Sequence, residues 1–519
     1  MQTSVPPRAT SREWVGLAVI ALPCLLYSMD LTVLNLALPS LSAELRPGSS
    51  ELLWIVDIYG FMVAGSLITM GTLGDRIGRR RLLLFGAAAF GIASVLAAFS
   101  TSARMLIATR ALLGLAGATL APSTLSLIRN MFHDPRQRTV AIGVWISSYS
   151  AGAAIGPLLG GLLLERFWWG SVFLAGVPVM VLLLAAGPAL LPEFRDPSAG
   201  RLDVVSAVLS LASVLPVIYG LKWIAESGPG WTPAVWILAG LLFGILFLRR
   251  QRTISDPLLD LRLFRLPAFT ASLATYTLAT FVAFGTFVFI AQYLQLVLGL
   301  SPLVAGLWTT PFAGGFIAGS MVTPAIARRV RAETVIACGL VLAAAGLVAL
   351  AQVDRTSGMG VLVGGIVTLS LGLAPAFTLT TDVIVGTAPP DRAGAASAVS
   401  ETGSELGGAL GIAILGSIGA AVYRGRMTDA LAAVPREAGE AARSTLAGAV
   451  AVAGDLPGKL GVDLLDAARE AFGRSLQVAA AVSATILVAM AIVVATRVRR
   501  SAMPQPGAEA DRMVEGGHA

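Results

Sequence analysis

Apolar residues run along this chain in long blocks, neither alternating nor confined to one helical stripe. The first extends from Trp14 to Leu38, and blocks of 18 or more residues recur between short stretches rich in Arg, Gly and Pro. Each is long enough to cross about 30 Å of hydrocarbon as a helix. We place fourteen spans near 14–38, 52–71, 82–100, 104–128, 139–163, 171–191, 203–222, 233–248, 267–297, 303–326, 333–352, 359–387, 393–420 and 475–497. The pattern predicts an all-α polytopic membrane protein. Residues 423–474 differ: MTDALAAVPREAGEAARSTLAGAV and GVDLLDAAREAFGRSLQ carry polar faces at helical spacing. They predict an outer helical hairpin between spans 13 and 14, broken near Asp455–Gly458.

Composition agrees, with 56% apolar and 13% charged residues, where soluble proteins carry about 25% charge. The net charge of +7 is a matter of topology. Even-to-odd connections hold Arg76, Arg79, Arg80, Arg81, Arg249, Arg250, Arg252, Arg328, Arg329 and Arg331. Short odd-to-even ones hold Arg46, Arg104, Arg166, Lys222 and Arg355. The positive-inside rule then places both termini in the cytoplasm of a cell (plasma or inner) membrane. The basic surplus needs no nucleic-acid partner. With only His133 and His518, Cys24 and Cys338, and Lys222 and Lys459, a His-based triad, a metal cluster and an ATP loop are all excluded. No enzyme and no cofactor is expected, and any transport must draw on an ion gradient.

The chain repeats itself. SAGAAIGPLLGG in span 5 carries Gly152, Gly156 and Gly160, and TGSELGGALG in span 13 carries Gly403, Gly407 and Gly411 at an offset of 251. Small residues at i, i+4 and i+8 let another helix approach closely. GTLGDRIGRRR (Gly71–Arg81) has an echo in GSMVTPAIARR (Gly319–Arg329). The expected domains are an N-terminal tail 1–13, a six-helix half 14–191, a linker 192–266 with two inserted helices, a second half 267–497 including 423–474, and a tail 498–519.

GTLGDRIGRRR, with Gly71, Gly74, Asp75, Arg76, Gly78, Arg79, Arg80 and Arg81, resembles the signature loop of the major facilitator superfamily. Its glycines suit a tight inner turn, and Asp75 can cap a helix N-terminus or pair with an Arg across the halves. MDLTVLNLALP (Met29–Pro39) is similar to the first-helix signature of the 14-helix drug:proton antiporters. WIVDIYGF (Trp54–Phe61) resembles the second-helix start of their QacA-like quaternary-ammonium and dye exporters. RALLGLAGA (Arg110–Ala118) is similar to the fourth-helix motif, with Leu113 where a Gln is usual. GPLLGG, with Gly156, Pro157, Gly160 and Gly161, resembles the antiporter motif. The resemblance implies the major facilitator fold and a proton-coupled exporter working by alternating access.

Asp30 lies well inside span 1. An acid at mid-helix costs roughly 2.5–3.5 kcal/mol on insertion scales, so it faces the bundle interior or a wet cavity. Desolvated carboxyls bind protons more tightly than those in water, and such a group holds a proton or an organic cation, not both. Asp57 and Arg110 lie at similar depth, so Arg110 can neutralise one acid. Glu401 and Glu405, at i and i+4, share a face of span 13, opposite its glycine stripe. Asp382 sits near the inner end of span 12, where a solvated-end role competes with a site role. Phe281, Phe284, Phe287, Tyr293 and Trp308 could offer rings to a flat cation. The expected partners are protons, the lipid bilayer and small cationic amphiphiles. A neutral or zwitterionic antibiotic or lipid is the alternative cargo.

Overall fold

The structure is a computed structural model that describes residues 8–497, apart from 48, 196–202, 229, 255–256, 354–357, 390–392, 431–438, 441, 444, 455 and 458. Among the described residues there is no strand, and thirteen helices are long and apolar enough to cross a membrane. The first half contains α1 (Ser11–Leu45), α2 (Ser49–Ile77), α3 (Arg79–Ala98), α4 (Ala103–Gly117), α5 (Leu120–Met131), α6 (Pro135–Arg166), α7 (Ser171–Leu174) and α8 (Val177–Leu190). The inserted pair is α9 (Val204–Ser227) and α10 (Trp231–Thr253). The second half contains α11 (Pro267–Gln292), α12 (Pro302–Ala327), α13 (Ala332–Leu350), α14 (Gly358–Thr387), α15 (Ala393–Ala430), α16 (Leu446–Ala453) and α17 (Lys459–Arg497).

All fourteen expected spans are helical. Span 10, α12, is one continuous uncharged helix outside the thirteen, because Pro311, Pro324 and several glycines dilute its apolarity. Span 4 breaks at Ala118–Thr119 into α4 and α5, and span 6 opens with the single turn α7. Helix starts follow local chemistry. Ser102 accepts from the Met105 N–H, Ser301 accepts from Val304 ahead of Pro302, and Asp134 accepts from Arg136 ahead of Pro135. Each satisfies an orphan donor, and proline fits the first helical position.

The same packing occurs in both halves. α1 lies on α6 as α11 lies on α15, α2 on α4 as α12 on α14, and α3 on α8 as α13 on α17. Glycine makes the first pair of contacts close. A Cβ on Gly152 would strike the Leu25 carbonyl of α1, and Cβ atoms on Gly407 and Gly411 would strike the Thr277 and Phe281 carbonyls of α11. Gly161, by contrast, faces open space. Gly156, Pro157 and Gly160 are helical within α6, and the Pro157 side chain lies outside the described residues.

The Gly71–Arg81 segment corrects the expected turn. Gly71, Gly74, Asp75 and Arg76 all continue α2, and only Gly78, at φ 111°, breaks the helix. Gly71 instead lets α2 meet Gly394 and Ala398 of α15. A side chain at Gly78 would meet the Glu193 carboxylate, which lies 3.5 Å from Arg80 and 3.7 Å from Arg81.

The inserted helices pack on each other and on α2 and α15. Asp203 caps α9 and is gripped by two Arg250 nitrogens at 2.7 and 3.0 Å. That guanidinium holds the Asp203 carboxyl well below the usual carboxylate range. The staple therefore holds at neutral pH; its contribution to stability begins to decline below about pH 4, where the unfolded carboxyl takes up a proton, and the pair itself opens only in stronger acid. Residues 423–474 are largely helical, but as extensions of the spans: α15 runs to Ala430, α17 starts at Lys459, and α16 lies between. Asp455 and Gly458, at the expected break, lie outside the described residues.

If the α11–α15 contact is as tight as the carbonyl contacts require, Gly411→Leu should cost roughly 1–3 kcal/mol by overpacking. Gly416, on the same helix with open space at its Cβ position, should tolerate Leu. Thermal unfolding of the two variants in detergent checks this: only Gly411→Leu should lower the midpoint by several degrees.

Candidate functional site

Arg110 of α4 and Asp30 of α1 are both buried, at 1% and 8% exposure. Arg110 Nη1 donates to Asp30 Oδ2 at 3.3 Å, its Nε to the Ile55 carbonyl at 2.5 Å and its Nη2 to the Val56 carbonyl at 3.4 Å. The guanidinium also lies 5.3 Å from the Tyr59 ring centroid and 5.9 Å from that of Phe173. Its donors and its face are thus both occupied, a combination lysine cannot reproduce. Of the two expected acids, Asp30 is the one placed on Arg110. Asp57 is half-buried on α2 and contributes its neighbours' carbonyls to that site rather than its carboxylate.

Glu401 and Glu405 sit half-buried on α15, and each accepts a tyrosine hydroxyl. Tyr27 of α1 donates to Glu405 Oε1 at 3.0 Å, which bridges the two halves, and Tyr276 of α11 donates to Glu401 Oε1 at 3.5 Å. Tyr27 lies 6.0 Å from Tyr59 and 5.7 Å, edge-on, from Tyr149, which packs on Trp145 at 4.8 Å. The Tyr59 hydroxyl is enclosed with no hydrogen-bond partner among the described residues. Aromatic faces beside paired carboxylates form a surface that attracts organic cations. Of the rings expected for this task, Phe281 and Tyr293 are core residues and Phe287 packs on Phe312. The tyrosines escaped the sequence reading, although a signal exists. The chain has only 7 Tyr, and Tyr27, Tyr59, Tyr149 and Tyr276 all gather around these acids.

Asp382 belongs to a different place. Its carboxylate accepts from Arg138 Nε and Thr139 Oγ1 of α6, both at 2.6 Å, while Arg129 reaches the Gly386 carbonyl at 3.4 Å. It is an ion-paired group between the halves, at the end of the bundle that carries Gly71–Arg81. Nearby, Asp75 pairs with Arg79 and accepts the Ala395 N–H of α15 at 3.2 Å. A carboxylate from one half thus caps a helix of the other, where the helix dipole favours negative charge. Arg79 and Gly394 are in such close contact that a side chain at Gly394 would strike the guanidinium.

A fold of two six-helix halves around buried acids, with glycine-paired helices in each, defines a polytopic membrane transporter rather than an enzyme. The family model described as Major Facilitator Superfamily matches residues 20–412, and the chain belongs to that superfamily. It is 45% identical over 494 residues to the multidrug efflux pump LfrA of Mycolicibacterium smegmatis, covering 95% of this chain and 98% of that protein. It is 37% identical over 491 residues to the methyl viologen resistance protein SmvA of Salmonella typhimurium, covering 93% and 97%. It is 34% identical to a tetracenomycin C resistance and export protein of Streptomyces glaucescens, covering 94% and 92%. Among solved structures, the human organic anion transporter MFSD10 (TETRAN) matches with TM-score 0.58 and 16% identity, over 92% of this chain and 99% of that one. A bacterial homologue of the lysosomal transporter Spinster, inward-facing and unoccupied, matches at 0.58 and 18% identity, over 96% and 100%. The structural likeness is one of fold, and the curated relatives are multidrug efflux and resistance transporters.

Removing one partner of a buried ion pair is far more costly than removing both charges. Arg110→Leu should therefore lose roughly 3–5 kcal/mol, and Asp30→Asn combined with Arg110→Leu should recover most of it. Unfolding midpoints of the single and double variants would read the difference, and equal losses would mean the pair is not enclosed as described.

Proposed function

We propose that this protein is a proton-coupled exporter of lipophilic cations, such as quaternary ammonium compounds and dyes, working by alternating access. The observation that carries this reading is the pair Glu401 and Glu405, each held by a tyrosine, with Tyr27 reaching Glu405 across the boundary between the halves from the same helix that carries Asp30. Neutral cargo has no need of acids there, whereas a cation does. The halves are 14–191 and 267–497, with 192–266 as the linker, in a cell membrane with both termini cytoplasmic. The Arg-rich end is then the cytoplasmic one, and the Asp75, Arg138 and Asp382 links there describe a carrier closed towards the cytoplasm. The glycine contacts of Gly152, Gly407 and Gly411 keep each half rigid while it rocks.

In this cycle the cation binds from the inside at Glu401 and Glu405. Protons arriving from outside favour its release, and their loss to the cytoplasm restores the site. Asp30, with Arg110 as its counter-charge, is the general proton site, and Asp57 is an accessory acid. The driving force is about 2.3 kcal/mol per charge for each 100 mV and about 1.4 kcal/mol per pH unit. A relative named for resistance to methyl viologen, a dication, supports the reading. The rival cargo, a neutral or zwitterionic antibiotic or lipid, draws on the relative named for tetracenomycin C.

Inverted vesicles loaded by a proton gradient test the scheme. Ethidium export should collapse with a protonophore and persist without ATP, and Asp30→Asn should stop export of every substrate. Glu401→Gln should weaken methyl viologen export more than ethidium export, because a second charge in a low-dielectric site needs a second counter-charge. Export that persists without a gradient would sink the antiport reading, and equal losses for the two dyes would sink the charge-matching role of Glu401.

A further inference from the structure

Tyr27 precedes Asp30 by three residues on α1, so the two share a face of that helix. It is 8% exposed. Its ring is fixed between Tyr59 and Tyr149 at 6.0 and 5.7 Å. Its hydroxyl, 3.0 Å from Glu405 Oε1, reaches from one half of the molecule to the other. Hydrogen bonds to an ionised acceptor are roughly twice as strong as neutral ones. This donor therefore stabilises Glu405 in the molecule without cargo. A cation approaching the same oxygen must displace it.

We propose that the Tyr27 hydroxyl is a built-in competitor of the cargo at Glu405, taking the place of the cation's charge whenever the site empties. The inference rests on the cation-export reading above. Its consequences follow from population arithmetic: when the bound-ready state is a fraction f of the empty protein, apparent affinity is lowered by that fraction. Competition of this kind acts on the empty protein, so it weakens all cations alike, monovalent or divalent. It also speeds departure, because the carboxylate vacated by the cargo is re-bonded at once. The bridge that re-forms joins α1 to α15, so emptying the site restores a link between the halves.

The test uses the purified full chain, with ethidium and methyl viologen as probes, measured for equilibrium binding and, in proteoliposomes, for turnover. Tyr27→Phe keeps the ring and removes only the donor. It should bind both probes about tenfold more tightly, with KM and kcat falling together. In the Glu405→Gln background, where the charged acceptor is gone, Tyr27→Phe should have no further effect on binding, and that double-mutant cycle isolates the pair. Unchanged or weaker binding by Tyr27→Phe overturns the competitor role, as does tightening that survives in the Glu405→Gln background. If Glu405→Gln alone leaves both affinities unchanged, Glu405 is no part of the cation site, and the cation reading at that residue falls with the inference.

Discussion

A guanidinium enclosed in the middle of a helical bundle sets the terms for everything around it. Arg110 is 1% exposed, so its charge needs compensation from protein alone. It finds it in one carboxylate from α1, two carbonyls from α2 and two ring faces. Three helices are thereby tied together by one side chain, and none of them can rotate without leaving a bare charge. The same accounting applies to Asp30, which is costly in hydrocarbon unless Arg110 is beside it. The pair is a mutual condition for burial. It also leaves one acid beside a fixed cation while the acids on α15 each accept a tyrosine hydroxyl, a difference that the two halves divide between them.

Glycine supplies the second constraint. In water, helices are pushed together by their apolar faces. In lipid that drive is absent, and close approach depends on small residues. α1 on α6 and α11 on α15 make the same use of it, with carbonyl oxygens seated where side chains would be. The chemistry superimposed on this repeated scaffold is asymmetric. Positions equivalent to Glu401 and Glu405 in the first half are Ser150 and Ala154. Packing is shared by both halves, and this pair of acids is placed in one.

Much of this was legible in the sequence because its causes are local. The length of an apolar block decides that a span exists, and the cost of a mid-span acid marks Asp30 whatever its neighbours are. The glycine stripes at Gly152 and Gly403–Gly411 announce their contacts through spacing alone, and Asp75 as a helix cap is readable from the loop motif. What could not be read depends on how helices rotate against one another. Whether Arg110 meets Asp30 or Asp57 turns on the facing of α2. Asp382 finds Arg138 across 244 residues, and Tyr27 finds Glu405 across 378. The turn expected at Gly71–Arg81 failed for the same reason: Gly71 and Gly74 look like turn residues, but Gly71 serves a helix crossing that only the partner, α15, reveals.

α15 carries much of this architecture on one rod. Its first turn is capped by Asp75, its first third bears Glu401 and Glu405, and it continues for 38 residues in all, about 57 Å at 1.5 Å per residue. That is nearly twice the thickness of the hydrocarbon. A rod pivoting at its capped end acts as a lever: each degree of tilt sweeps its far tip through about 1 Å, whereas the acids, a short way along it, barely move. Small angular changes near the pivot are therefore magnified at the tip beyond the bilayer, where α16 and the start of α17 would be carried along.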